Sequence, residues 1–450
     1  MIEPLDFFFP LRVDNELGAA RASAPMIVSA WWLLVLAIPV LMLGEFFVRK
    51  IKVLSRFNIP APVASGLLFS LLILVGAITG LLVFKLETKV DARWWTWLLT
   101  IEPEWQKSPS VAVHQPFLVA FFTCIGLNAS WNIAKRGSVQ VLIFLVLAAT
   151  LAVIQNIVGV LLAKALGVSP LLGIVCGSVT MTGGHGTALG FASLLEKSGL
   201  AGAGVLGVAA ATFGLVTGGL IGGPIGGRLI QKNKLHSSAP LKTHLENPGG
   251  GESGILKDFR ALAGYGKTFL LHLLLLLACI KIGAWVSHFI QETKMTFPVY
   301  MGAMLFGLIV RNALDLSGAR WISTEIVDTL GSVSLGVFLS IAMMSLNLLE
   351  LANAALPMII ILSVQVGLMA LFAWFITYRV MGRDFDAAVM AGGHCGFGLG
   401  ATPNAVANMK SLVGRFGPAP RAFLVVPIVG GFLIDFLNAM NITFFINLLK

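Results

Sequence analysis

The chain has 450 residues, of which 57% are apolar and only 12% charged, with 49 glycines and a formal net charge of +10. A soluble protein of this length carries about twice that charge fraction, so a water-soluble globular fold is excluded. Nucleic acid is excluded as a partner too: the basic residues sit in short loops beside apolar runs, the pattern of cytoplasmic loops in membrane proteins.

Residues 1–26 hold Glu3, Asp6, Asp14 and Glu16 against Arg12 and Arg21, the wrong balance for a cleavable signal. They are read as an extracytoplasmic leader. About 20 helical residues cross a hydrocarbon core roughly 30 Å thick. Spans are predicted near 27–48, 63–84, 116–131, 139–165 and 203–228. The stretch 86–115, with Trp94, Trp95, Trp97 and Trp105, reads as an interfacial aromatic belt, a lid being the lesser alternative. Residues 231–265 are polar, with Pro248 and three successive glycines, and form a cytoplasmic linker. Further spans follow near 268–290, 297–314, 327–349, 355–378 and 422–448.

The two sets match in order. Pro62 to Gly66 resembles Pro298 to Gly302, Phe121 to Asn128 echoes Phe338 to Asn347, Gly183-Gly184-His185 matches Gly392-Gly393-His394, and Thr217 to Ile221 resembles Val429 to Leu433. The fold class expected is an all-α polytopic membrane protein. It has two inverted repeats, 27–230 and 266–450, each of five transmembrane helices with a re-entrant glycine-rich hairpin; an odd number of spans forces the inversion. Roughly two thirds of the 31 lysines and arginines then fall on one side, which puts both termini outside.

Two glycine–histidine segments, 180–193 and 391–405, interrupt the apolar sequence at matching places. Irregular backbone at membrane depth survives only where protein buries it or a wet cavity needs it, so a paired break marks a transporter's binding site. Backbone N–H groups at helix starts suit an anion, and carbonyls at broken helix ends suit a cation such as sodium. Thr182, Thr187, Thr402 and Asn404 are the side-chain donors. His185 and His394 are open to three readings, zinc ligand, proton carrier or structural donor, with bonds to backbone carbonyls preferred. Asp435 is an intramembrane acid, for which cation coordination or pairing is expected. Asn128 and Asn347, at equivalent repeat positions, are further sodium-ligand candidates; Gln155, Asn156 and Gln365 are weaker ones, since intramembrane amides often serve only as helix glue. The four cysteines read as free thiols. No Walker loop, dinucleotide fingerprint or nucleophile elbow is present, so no ATP drive, cofactor or enzymatic role is expected.

Several segments resemble the bacterial glutamate:sodium symporter family: TGGHGT at 182–187, ATFGLVTGGLIGGPI at 211–225, AAVMAGGHCGFGLGATPNAVANM at 387–409 and RFGPAPRAFLVVPIVGGFLIDFLNA at 415–439. Ile59 to Val63 and FFTCIGLNA at 121–129 add to the match. The resemblance implies a sodium-driven L-glutamate importer of the inner membrane, working as a homodimer by an elevator motion. It places substrate contacts on Thr182, Gly183, Gly184, His185, Gly186 and Thr187, and on Gly396, Phe397, Gly398, Gly400, Thr402 and Asn404. Thr182 stands where the family motif begins with Ser, and Asn404 where Thr is frequent, which leaves the exact substrate open. The alternative is the same fold carrying another dicarboxylate or amino acid, or coupled to protons. A passive channel or an intramembrane enzyme fits the scarcity of buried charge less well.

Overall fold

In a bilayer the backbone must satisfy its own hydrogen bonds, so long apolar runs become helices. A computed structural model describes residues 11–13, 26–56, 59–79, 84–101, 110–130, 138–237, 255–292, 298–318, 321–346 and 354–449. The first half of the chain gives α1 (Ala30–Lys50), α2 (Ala61–Thr79), α3 (Arg93–Leu99), α4 (Gln115–Asn128), α5 (Ser138–Ala165), α6 (Pro170–Ile174), α7 (Gly184–Lys197) and α8 (Ala203–Lys232). The second gives α9 (Ile255–Gly264), α10 (Lys267–Glu292), α11 (Met301–Leu316), α12 (Thr324–Met344), α13 (Ala355–Phe372, extended to Val380), α14 (Phe385–Gly398), α15 (Thr402–Phe416), α16 (Pro420–Ile428) and α17 (Ile434–Leu448).

Six of the described helices are long and apolar enough to cross a membrane, and the pair Pro420–Gly431 and Ile434–Leu448, bent by 41°, makes a seventh. The chain is therefore a multi-pass membrane protein. The other three expected spans are shorter as helices. The 14 residues of α4 reach only about 21 Å. α2 is described to Thr79, and at the expected end of this span Phe84–Leu86 is a strand. Three-residue strands were not foreseen: Met26–Val28 pairs antiparallel with Leu11–Val13 and parallel with Phe84–Leu86, and Lys89–Asp91 pairs with Ser110–Ala112. Trp105, Asn347, most of the leader and the linker residues 238–254 lie outside the described residues.

The chain divides into two compact units, each built from both halves of the sequence. The first comprises 1–54, 60–128 and 253–349, and the second 55–59, 129–252 and 350–450. Each half thus gives its early helices to one unit, then a helix, a broken segment and a final helix to the other.

In the first unit α4 and α11 approach at backbone distance. Gly126 lies against the Met304 carbonyl and Gly307 against that of Thr123, and Phe122 stacks on Tyr300 with ring centroids 3.7 Å apart. Small residues at such crossings replace the hydrophobic drive that lipid does not supply. α12 starts at Ser323, whose hydroxyl accepts from the Ile326 N–H, and whose own N–H donates to His272 Nε2 at 2.9 Å. His272 therefore carries its proton on Nδ1, which bonds the Thr268 carbonyl at 2.7 Å.

Within the tryptophan-rich stretch, Trp95 is buried, while Trp94 and Trp97 are exposed. α3 is held from α10 by one cation. Lys281 Nζ donates to the Trp97 carbonyl at 2.6 Å and that of Thr100 at 2.9 Å, and lies 4.4 Å from the Trp97 ring centroid. A cation on the terminal carbonyls of so short a helix supplies what its own length cannot. Lys281→Met is expected to raise amide exchange over residues 93–100 by about tenfold or more, since each charged bond contributes about 1.5–3 kcal/mol. Unchanged exchange there would show that α3 stands without the lysine.

Candidate functional site

All of the site's backbone breaks belong to the second unit. In the first hairpin, Pro170 starts α6 in the position where its missing N–H costs nothing. The helix then widens into a π-type turn over Val175–Val179, and Gly177 leaves helical geometry at φ −94°, ψ −134°. Asparagines take up the groups so released. Asn156 Oδ1 accepts from the Ser178 N–H at 2.9 Å, and Asn438 Nδ2 donates to the Ser178 carbonyl at 2.9 Å. Asn441 Nδ2 reaches the Ser178 hydroxyl at 3.3 Å. The chain turns through Thr180 to Gly183 and restarts as α7 at Gly184, whose φ of +66° suits glycine.

In the second hairpin, Asp384 caps α14 by accepting from the Ala387 N–H at 2.9 Å, and Arg421 pairs with the same carboxylate oxygen at 2.5 Å. Asp386 accepts from the Ala422 N–H at 3.1 Å, so the base of the hairpin is fastened to the start of α16. At the far end α14 stops after Gly398, and α15 begins at Thr402 with Pro403 in its first turn.

The two tips meet. A Cβ placed on Gly184 would lie 2.5 Å from the Gly400 carbonyl oxygen. One amide joins them: Gln155 Oε1 accepts from the Thr182 hydroxyl at 2.7 Å, and its Nε2 donates to the Gly398 carbonyl at 2.8 Å. Gln365 Nε2 in turn donates to the Gln155 backbone carbonyl at 2.7 Å. All three polar side chains are buried. Behind the second hairpin, α8 presents Gly214, Gly218, Gly222 and Gly226, which face backbone oxygens of Leu399, Cys395, Gly392 and Ala388 in that order. A glycine every fourth residue is one smooth helix face, which lets α14 seat against backbone.

The predicted contact residues therefore gather around one junction. Thr182, Gly183, Gly184, His185, Gly186 and Thr187 form the first tip and the start of α7. Gly396, Phe397, Gly398 and Gly400 end the second hairpin's first helix, and Thr402 and Asn404 open its second. The half-buried tip residues Gly183, Gly186, Ala401 and Thr402 keep surface open within this unit. Part of the polar set is already engaged internally: Thr402 Oγ1 donates to the Gly430 carbonyl, and Asn404 Nδ2 to that of Leu215 at 2.6 Å.

The histidines correct the sequence reading. Among the described residues neither is bonded to a backbone carbonyl; each meets a threonine hydroxyl, His185 Nε2 on Thr212 at 3.0 Å and His394 Nδ1 on Thr377 at 2.9 Å. Thr212 spends its proton on the Val208 carbonyl, so His185 donates from Nε2. His394 is boxed by the rings of Phe144, Phe372 and Phe397.

Asp435 lies in the second unit, and Asn128 in the first, where its Nδ2 donates to Asp328 at 2.6 Å. Asn347 lies outside the described residues. Sequence reasoning missed Gln155 as the bridge between tips and passed over Asn438, Thr212 and Thr377. The one available signal was positional: Gln155 and Gln365 occupy the helix before the hairpin in both halves.

The sodium/glutamate symporter family model matches residues 26–418. A sodium/glutamate symporter of Escherichia coli (strain K12) is 38% identical over 423 residues, covering 92% of this chain and 96% of the relative. One of Haemophilus influenzae is 38% identical over 417 residues, covering 91% and 95%. With a family model matched over most of the chain and relatives 38% identical across more than nine tenths of it, the chain belongs to the sodium/glutamate symporter family.

Proposed function

We propose that this protein imports L-glutamate together with sodium across the inner membrane, both termini facing outward. The observation that carries this reading is the junction of two hairpin tips, tied by Gln155, in a chain 38% identical to a named sodium/glutamate symporter. Two broken helices ending at one point offer helix-start N–H groups to carboxylates and helix-end carbonyls to a cation. The substrate lies against Thr182 to Thr187 and Gly396 to Asn404, and Asp435, Asn128 and Asn347 are the oxygen donors considered for sodium.

The hairpins enter as re-entrant loops from opposite faces of two inverted repeats. The mechanism proposed is an elevator: the unit bearing both hairpins moves, and the other is the fixed scaffold of a homodimer. The division of the chain into two units, with every hairpin residue in one of them, supports it.

Purified protein in liposomes is expected to accumulate labelled glutamate under an inward sodium gradient, saturably, and not under a matched choline gradient. Uptake driven by a pH gradient without sodium, or strong competition by malate or citrate, would overturn the assignment.

A further inference from the structure

The last helix, α17, carries two polar features that the hairpins do not account for. Asn438 is 1% exposed, and its Nδ2 donates to the Ser178 carbonyl, yet its Oδ1 has no hydrogen-bond partner among the described residues. Its orientation is fixed, because turning the amide over would set Oδ1 against the Ser178 carbonyl oxygen. A buried acceptor held without a donor is retained at a cost, which a ligand can offset.

Asp435 stands three residues earlier on the same face of α17. No described residue gives its carboxylate a hydrogen bond or an ion pair. An unpaired acid in a membrane helix marks an ion path or site. Its location along the chain is bracketed on both sides. Before it, the Gly430 carbonyl accepts from Thr402 of the second hairpin; after it, Asn438 grips Ser178 of the first. Asp435 therefore lies on the stretch of helix that runs from one hairpin to the other.

We infer that Asp435 and Asn438 are the protein's ligand pair for the coupling cation, a hard monovalent ion of sodium's kind. This inference rests on the sodium-coupled reading above. The chemistry is that of a carboxylate and an amide oxygen, the donors such cations take. One cation neutralises the acid and occupies the unpaired Oδ1 together. Because Asn438 also holds Ser178 at the break of the first hairpin, cation binding stiffens the helix against which that tip is set. A helix that merely packed here would need neither the acid nor the free oxygen.

The test measures sodium directly, by the shift in melting temperature between sodium and choline chloride, and functionally, by the sodium concentration that half-saturates glutamate uptake. Asp435→Asn is expected to abolish the sodium-dependent shift. Asn438→Ala should raise half-saturating sodium by about tenfold or more, exceeding any change in the glutamate KM. Ser178 keeps its bond from the Gly183 N–H, so the hairpin retains one of its ties. Should Asp435→Asn not fold, Asp435→Glu moves the carboxylate by one methylene and is expected to change the preference for sodium over lithium. Wild-type sodium response in Asn438→Ala, or wild-type ion preference in Asp435→Glu, overturns the site while leaving sodium-coupled transport in place. A wild-type protein that shows neither melting shift nor sodium-dependent uptake overturns both.

Discussion

Gln155→Ala is expected to raise the glutamate KM by about 30-fold or more, because this side chain ties the first tip to the second. The substitution leaves the Thr182 hydroxyl and the Gly398 carbonyl without the partners they have now. Losing two buried bonds and stranding their partners costs about 2–3 kcal/mol in all. The backbone bond from Gln365 survives, so α5 and α13 stay joined. The cost therefore falls on the arrangement of the tips. If only converged tips bind substrate, the apparent affinity drops by the factor through which their population drops, and about 1.4 kcal/mol is tenfold. Thr182→Val removes one of the two bonds and should cost about tenfold. Combined with Gln155→Ala it should add little, since both changes strike the same contact. A lowered KM in Gln155→Ala would mean that the amide holds the tips in an arrangement that excludes substrate.

The contrast between Gln155 and the glycines shows which features a sequence exposes. A glycine in an apolar run is conspicuous because it breaks the composition around it, and the first tip was legible from Gly183-Gly184-His185; its counterpart Gly392-Gly393-His394 lies inside α14, and the second break follows it at Leu399 to Ala401. The apolar runs likewise set the helices, since the backbone in lipid has no other recourse. A buried glutamine is different: helix glue and tip clamp share one residue type, and only the partners tell them apart. Gln155 reaches Gly398 across 243 positions and Asn438 reaches Ser178 across 260. Contacts of that range follow from which helices become neighbours, and no local pattern encodes that. The strands and α3 escaped for another reason. Three residues are too few to show a period of two, and the tryptophans of 93–99 suggested an interfacial surface without disclosing that Lys281 fastens it.

The first tip tolerates no side chain at Gly184. Gly184→Ala should lower uptake by at least about 100-fold. Two penalties add at this position. With φ at +66°, an L-residue costs about 1–2 kcal/mol. The new methyl would also lie 2.5 Å from the Gly400 carbonyl oxygen, which is backbone and has no rotamer through which to step aside. Relief requires the tips to separate, and tip contact is what the transport reading needs. Two controls divide the causes. Gly199 has φ of +103° and no atom within 4 Å of an added Cβ, so Gly199→Ala carries the backbone strain without the clash. It should lower the melting temperature and leave uptake near wild type. Gly367 sits inside α13 with nothing within 4 Å, so Gly367→Ala should be neutral or stabilising by up to about 1 kcal/mol. If Gly184→Ala transports as well as Gly199→Ala does, contact between the tips is no part of the transport cycle, and the site assigned to their junction is lost with it.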